Sequence, residues 1–384
     1  MKISIPTLPN PTGSSPGYAN PLAHISQSSA IAHVKSFLDK GKGKTLVLTG
    51  AGVSVDSGIR AYRGSEGHYQ SFMENSWNQG LKGIAFGKVS WTLCAGFEFA
   101  DPSFLASPLG RDVRLAVTHW SRSYLGYPPV RDALPNPTHM YVAALQRLGL
   151  APTLITQNVD RLHHKASPFN LTETDRRILE LHGTLAFVHC LKNRHMRPRD
   201  EFQDLLGKLN PTWEQVVRQA HGGTVKTNPD GDVDLGGVKY DSFVVPPCTD
   251  CEAHGVSDSI VKPNVVFFGE TISEAVKDRA AHMVAASSRV LVLGTSLATY
   301  SAFRLIKQAL EAQKPVLLLS IGPSRADGLP GVEKIEMKAG TVLEGVLQRY
   351  LASRHGPVED EVKSLMGRGV VKMPDNVPTP RAEG

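Results

Sequence analysis

Thr49-Gly50-Ala51-Gly52-Val53-Ser54-Val55-Asp56-Ser57-Gly58-Ile59 follows directly on the apolar run Lys44-Thr45-Leu46-Val47-Leu48. A short apolar run stopped by glycine reads as a buried strand, and Gly-Ala-Gly makes a tight turn with no side chains in the way. Free N–H groups at such a turn, and at a helix opened by it, favour a phosphate. The stretch therefore points to a strand and turn that hold a nucleotide pyrophosphate. Taken alone, a glycine turn after one strand serves equally as a structural turn. It also departs from the G-x-G-x-x-G fingerprint, because Val55 stands where the third glycine belongs. A hydride-transferring dehydrogenase is correspondingly disfavoured.

Working outward, residues 27–40 place Ala30, Ile31, Val34, Phe37 and Leu38 at helical spacing, so a helix precedes this strand. Strand signals recur at Leu154–Thr156, Val290–Leu293 and Val316–Leu319, with helical patterns at Tyr141–Leu148, Ala275–Ser287 and Ser301–Ala312. Alternation of this kind predicts an α/β fold, a Rossmann-like parallel sheet covered on both faces. Residues of about 62–135, with a helix through Arg111–Ser123, and of about 187–258, which hold three of the four cysteines, break the alternation. Both read as insertions.

Further motifs sharpen the picture. Thr156-Gln157-Asn158-Val159-Asp160 follows the apolar pair Leu154-Ile155, and Glu180-Leu181-His182-Gly183-Thr184 follows later. Lys262-Pro263-Asn264-Val265-Val266-Phe267-Phe268-Gly269-Glu270 and Leu293-Gly294-Thr295-Ser296-Leu297 complete the series. In this order the motifs resemble the sirtuin family, the NAD-dependent protein-lysine deacylases, over about Thr45 to Leu347. Pro135-Asn136-Pro137-Thr138-His139, Leu209–Trp213 and Asn228–Val233 resemble its class II, sirtuin-four-like branch.

The resemblance implies NAD as cofactor and His182 as the general base. An acyl-lysine carbonyl oxygen attacks the ribose carbon that bears nicotinamide, and nicotinamide leaves. His182 then takes a proton from a ribose hydroxyl, and water completes the transfer to give lysine and O-acyl-ADP-ribose. It further implies that Asn158 orients the nicotinamide ribose and a water, that Gln157 contacts the ribose, and that Asp160 lines the nicotinamide pocket. Gly50, Ala51, Gly52, Ser54, Gly58, Ile59, Tyr62 and Arg63 carry over as cofactor contacts of the glycine loop. Gly294, Thr295 and Ser296 carry over at the next strand end, Ser320, Ile321 and Gly322 at the one after, and Ala339 at the adenine edge. Val265–Glu270 is expected as a strand that pairs with an extended acyl-lysine peptide. By the same resemblance the insertions become a helical part and a small zinc-ribbon-type module, with the site in the cleft between them and the sheet.

Three departures from the family pattern matter. Gly58-Ile59-Arg60-Ala61-Tyr62-Arg63 carries Arg60 and Ala61 where the family has Pro-Asp, so a carboxylate near the nicotinamide is missing. Ser320 replaces an asparagine that bonds the adenosine ribose. The zinc hooks are incomplete: Cys248-Thr249-Asp250-Cys251 is whole, but Cys190 is followed three residues later by Asn193. Zinc needs four N or S ligands, so either Cys190, Cys248 and Cys251 recruit an imidazole from His189 or His195, or the metal is lost.

The chain's 384 residues, 41% of them apolar and 20% charged, suffice for a substantial core. A formal charge of +6 without a dense basic tract gives no ground for specific nucleic-acid binding, and no apolar run reaches membrane-spanning length. A monomer is expected. Four cysteines do not make a disulfide scaffold, and Cys94, among Trp91, Phe97 and Phe99, reads as a buried thiol. Residues 1–26 read as a disordered or targeting tail: residues 1–38 lack Asp, Glu and Arg, but prolines 6, 9, 11, 16 and 21 oppose an amphipathic helix. A mitochondrial location follows from the resemblance, with cytoplasm or nucleus as alternatives. The catalytic domain is expected over residues 27–352, its core at about 27–61, 136–186 and 259–352, with a flexible tail at 353–384. Two other activities stay open: transfer of ADP-ribose to a protein side chain, and NAD binding without catalysis.

Overall fold

The computed structural model describes residues 22, 25–59, 113–215, 242–267, 269–352 and 354–372, with side chains from Trp120 onward in the helix that begins at Val113. Arg60, Ala61, Tyr62, Arg63, Cys94 and the Asn228–Val233 motif lie outside the described residues. The chain opens with α1 (Gln27–Gly41), β1 (Thr45–Thr49), a short 3-10 turn (Ala51–Val53), α2 (Val113–Asp132) and α3 (Pro137–Arg147). There follow β2 (Thr153–Thr156), α4 (Leu162–Ala166), α5 (Leu171–Arg177), β3 (Ile178–Glu180), β4 (Gly183–Cys190), β5 (Met196–Pro198) and α6 (Arg199–Leu209). Beyond them come α7 (Thr249–Glu252), β6 (Val261–Val265), α8 (Glu274–Ala286), β7 (Arg289–Leu293), α9 (Tyr300–Glu311), β8 (Val316–Leu319), β9 (Val332–Ile335), α10 (Ala339–Leu351) and α11 (Pro357–Met366).

The described residues fall into two compact units. The first holds a six-stranded sheet in the order β3-β2-β1-β7-β8-β9, and every pairing is parallel. This is the dinucleotide-binding strand order, in which the order of strands, not their direction, reverses between β1 and β7. β1 and β8 are buried at every position, as strands covered on both faces must be. The expected Rossmann-like α/β sheet is therefore present. Its core joins Val34 and Leu38 of α1, Val47, Leu145, Leu154, Leu291, Leu317 and Leu347. α1 starts at Ser26, whose hydroxyl accepts from the Ser29 N–H at 3.2 Å, and its apolar stripe is the one read from the sequence.

The second unit centres on aromatic packing. Trp120 of α2 lies 4.8 Å from Phe202 of α6, and Trp213 meets Phe243 edge-on at 5.2 Å. The Trp120 indole donates to the Val261 carbonyl at 2.9 Å, which ties α2 to the antiparallel sheet β5-β4-β6. The two insertions, read separately from the sequence, thus share one core. α2 also runs past the expected end at Ser123, through Pro128 and Pro129, to Asp132.

Two expectations require correction. The strand expected at Val265–Glu270 lies earlier, at Val261–Val265, and pairs with β4 in the second unit rather than joining the nucleotide core. The chain turns after Val265, where the partly buried Glu270 carboxylate accepts from the Phe267 N–H (2.9 Å) and the Lys262 ammonium (2.6 Å). The expected flexible tail likewise holds structure within residues 354–372: Val362 and Leu365 of α11 are buried, Val362 in the main core. Val358, Val362, Leu365 and Met366 recur at helical spacing and turn inward, a stripe hidden by the charged residues around it. No helix among the described residues is long and apolar enough to cross a membrane.

Candidate active site and metal group

The ends of β1 and β7 meet at the reversal point. Gly50 N–H donates to the Leu293 carbonyl at 3.2 Å, and Gly52 N–H to the Gly294 carbonyl at 2.9 Å. A Cβ on Gly50 would sit 2.6 Å from the Thr295 Cβ, one on Gly52 2.7 Å from the Gly294 oxygen, and one on Gly294 2.8 Å from the Val53 nitrogen. Glycine is required here for close approach of two main chains.

Around this junction the strand ends carry a connected polar cluster. The Asn158 amide donates to Ser54 Oγ at 2.9 Å and to the Gly50 carbonyl at 3.2 Å. Ser54 donates to Asp160 Oδ2 at 2.7 Å, and the Leu162 N–H to Asp160 Oδ1 at 2.9 Å. Burial pushes the Asp160 carboxyl above its ordinary range, and these two donors oppose the shift. Gln157 Nε2 donates to Thr295 Oγ1 at 2.9 Å and to the Thr49 carbonyl at 3.3 Å. Gly50, Gly52, Ser54, Gln157, Asn158, Asp160, Gly294 and Thr295 are thereby brought together, with Ala51 in the turn.

Ser296, next in the chain, accepts from the Arg325 N–H at 2.8 Å. Ser320, Ile321 and Gly322 lie past the end of β8, with Ser320 buried and Ile321 65% exposed. Ala339 is the first residue of α10. Gly58 adopts φ +82° on the far side of the glycine loop, and the Ile59 N–H bonds the Ser54 carbonyl at 3.4 Å.

His182, just past β3, is buried and its two ring nitrogens are distinguishable. Nδ1 lies 3.1 Å from the Gln157 carbonyl oxygen, which can only accept, so Nδ1 carries the proton. Nε2 is then the bare nitrogen and accepts from the Ser301 hydroxyl at 2.8 Å. Burial lowers the His182 pKa to about 4, opposed by the bond to Gln157. The imidazole is neutral at pH 7, with an unprotonated nitrogen facing a hydroxyl. A group so placed can take a proton from a hydroxyl that displaces Ser301.

The sequence reading missed several members of this cluster. Ser301 and Thr299, which donates to Gln157 Oε1 at 3.1 Å, stand shortly after the Gly294–Leu297 motif. His139 bridges Asn136 N–H (3.3 Å to Nδ1) and Ser54 Oγ (3.3 Å from Nε2), and His163 Nε2 lies 3.0 Å from Thr49 Oγ1. The Pro-Asn-Pro-Thr-His motif marked His139, but no signal marked its contact with Ser54.

The buried imidazoles have a consequence for stability. Burial lowers His139 to about 3, His164 and His182 to about 4, and His163 well below its ordinary value. Above pH 6.5 these rings are neutral whether the chain is folded or not, and their contribution is intact. As pH falls from there towards about 4, the unfolded chain binds protons that the folded one refuses, and stability is lost. Asp160, shifted upward, works in the opposite direction. The melting temperature should accordingly fall between pH 7.5 and pH 5, at a cost on the order of 1–2 kcal/mol per buried imidazole. Calorimetry across that range checks it, and a flat profile would exclude neutral burial of these rings.

In the second unit Cys190, His195, Cys248 and Cys251 bring their donor atoms within 4.8 Å of one another. Cys190 Sγ lies 3.6 Å from Cys251 Sγ, and His195 Nδ1 lies 3.4 Å from Cys248 Sγ and 3.6 Å from Cys251 Sγ. A tetrahedron of ligands about zinc has sulfur–sulfur edges of about 3.8 Å. The four donors fit a structural zinc. Of the two imidazoles that could join the three cysteines, His195 is the one in the group. Asn193 does not take the fourth place: its amide donates to Cys251 Sγ at 3.3 Å. His189 lies outside the group, with Nε2 3.4 Å from the Arg194 guanidinium.

Sheet order, glycine junction and polar strand ends define a dinucleotide-type α/β protein with a buried, neutral histidine in the same unit as the glycine turn. The Sir2 family profile matches residues 110–301. An NAD-dependent protein deacylase SIR4 of Batrachochytrium dendrobatidis is 36% identical over 313 residues, covering 80% of this chain and 90% of that one. The mitochondrial NAD-dependent protein lipoamidase sirtuin-4 of Homo sapiens is 33% identical, covering 82% and 84%. The chain belongs to the Sir2 family. Among solved structures, a Sir2–p53 peptide–NAD+ complex superposes with a TM-score of 0.53 at 22% identity, covering 84% of this chain and 99% of that one, a likeness of fold.

Proposed function

We propose that the chain is an NAD-dependent protein-lysine deacylase in which His182 is the general base. NAD lies against the β1–β7 junction, with its pyrophosphate at the glycine turn and its nicotinamide ribose towards Asn158 and His182. The acyl-lysine oxygen displaces nicotinamide, His182 Nε2 takes the proton of a ribose hydroxyl in the place Ser301 now holds, and that oxygen attacks the imidate carbon. Water then adds to that carbon, its bond to the lysine nitrogen breaks, and lysine and O-acyl-ADP-ribose are released. The observation that carries this reading is the fixed tautomer of His182, neutral and with Nε2 facing a hydroxyl. Relatives named deacylase and deacetylase at 35–36% identity support it. Mass spectrometry of an acyl-lysine peptide incubated with protein and NAD tests it. Free lysine with O-acyl-ADP-ribose is expected. A protein made heavier by ADP-ribose, or no release of nicotinamide, would exclude it.

The substrate is an acyl-lysine protein segment bound in extended form, and the enzyme acts as a monomer in the mitochondrion. The human relative, named mitochondrial, supports the location. Fractionation of cells that make the tagged chain checks it, and a purely cytosolic or nuclear signal would exclude it.

Acyl choice falls to Arg122 of α2, which is half-buried. The segment His119-Trp120-Ser121-Arg122 resembles one that lines the family's acyl channel, and a guanidinium can grip a carboxylate through two parallel bonds. Arg122→Ala is expected to lower turnover of a glutaryl-type peptide about tenfold relative to an acetyl one, the worth of one charge-assisted bond. An unchanged rank order among acetyl, glutaryl-type and long-chain peptides would remove Arg122 from acyl recognition.

A further inference from the structure

The glycine loop is held from outside by the end of the described chain. α11 packs on α3, joined by an ion pair from Arg147 Nε to Glu361 Oε2 at 2.7 Å and by the burial of Val362 and Leu365. From there the chain turns back along the N-terminus of α3. Gly369 passes so close that a Cβ there would lie 2.5 Å from the Pro137 nitrogen. The Val370 N–H then donates to the Pro135 carbonyl at 2.9 Å. Two residues on, the Lys372 N–H donates to the Asp56 carbonyl at 2.8 Å, and Lys372 forms a parallel bridge with Ser57.

The contacts are made by main chain. Donors at 370 and 372 alternate as in an extended strand, while the Val370 and Val371 side chains are 42% and 61% exposed. Exposed valines do not hold a segment down by apolar burial, so the two amides and the close approach of Gly369 to Pro137 must. On its other side the same loop is held by Asn136, whose amide donates to the Val53 carbonyl at 2.7 Å. The carbonyls of Val53 and Asp56 are thus tied to the start of α3 and to the strap, and Ser54, which bonds Asn158 and Asp160, lies between them.

We propose that residues 357–372 form a positioning strap that fixes the glycine loop in its cofactor-receiving conformation. The proposal rests on the reading of that loop as the NAD site. Without the strap, the bonds that remain to Asp56–Gly58 among the described residues are its local turn bonds, Ser57 N–H to the Ser54 carbonyl and Gly58 N–H to the Val55 carbonyl, both 3.0 Å. A loop that NAD must first order binds it more weakly.

The experiment compares the full chain, a chain ending at Lys372, a chain ending at Arg368, and the point variants Lys372→Pro and Lys372→Ala. Proline removes the N–H that reaches Asp56, whereas alanine keeps it. KM for NAD, KM for an acyl peptide, melting temperature and hydrogen exchange at residues 54–58 are measured for each. Ending at Arg368 should raise KM for NAD about tenfold, as expected from the loss of two main-chain hydrogen bonds. Lys372→Pro should give a smaller rise. Both should leave the peptide KM unchanged and speed exchange at residues 54–58, while the chain ending at Lys372 and Lys372→Ala behave as the full chain. A full chain that turns over NAD, with the Arg368-ended and proline forms matching it in KM for NAD, would overturn the strap alone. A rise in both KM values with a collapsed melting temperature would overturn it too, by making the segment a general support of the fold. A full chain that neither binds nor consumes NAD would overturn the cofactor reading, and the strap with it.

Discussion

His182→Ala should lower NAD-dependent deacylation by about a thousandfold, the usual worth of a well-placed general base. The ring makes one bond to a main-chain carbonyl and one to Ser301, and it completes no apolar layer of the sheet. Its removal should therefore leave circular dichroism unchanged and the melting temperature only modestly altered. The step at which the loss falls is the sharper test. On the proposed pathway nicotinamide departs before His182 acts, so exchange of labelled nicotinamide into NAD should suffer less than formation of O-acyl-ADP-ribose. A mutant with near-wild-type turnover would remove His182 from the chemistry. Equal losses in exchange and product formation would move its action to the first step.

Purified protein should carry about one equivalent of zinc, and Cys248→Ser or His195→Ala should lose it. The cysteines pack in the same core as Trp120, Phe202 and Trp213, so the metal joins β4, β5 and α7 within a unit that also has aromatic packing of its own. Loss of zinc should thus lower the melting temperature of that unit by more than about 5 °C without unfolding the whole chain. Asn193→Ala, which removes only a donor to Cys251 Sγ, should retain the metal. Elemental analysis and calorimetry of the three variants decide the matter. Metal-free protein of undiminished stability would mean that the group is held together by packing alone.

The strands easiest to read were those with uninterrupted apolar runs. β1, β7 and β8 are central in a two-faced sheet, and burial on both sides selects continuous Val and Leu. The edges gave no such signal. β3 has only three residues, and β9 reads Val332-Glu333-Lys334-Ile335, with Lys334 buried but paired to Asp327 and Glu336 at 2.9 Å. Asn158 and Asp160 were marked by following the readable strand at Leu154–Thr156, and His182 by the resemblance of Glu180–Thr184 to the family motif. Ser301 was different: it matters because folding brings it to His182, far away along the chain, and no local chemistry marked it. His195 was one of two imidazoles near Cys190, and only the fold, by bringing it to Cys248 and Cys251, chose it over His189. α11 was read as loose tail because its charged faces outweigh a stripe of four apolar residues.

The crossing of Gly52 and Gly294 bears on how this chain can evolve. A methyl on either residue would strike main-chain atoms of the opposite strand end. Side-chain clashes can be relieved by trimming the neighbour, but a carbonyl oxygen or an amide nitrogen cannot be trimmed. A lesion at either glycine should therefore have no suppressor elsewhere in the gene, and a search for revertants should return only glycine. On the proposed placement of NAD, drift in nucleotide preference would be displaced one strand over, to Ser320 and its exposed neighbour Ile321, where side chains can still be exchanged.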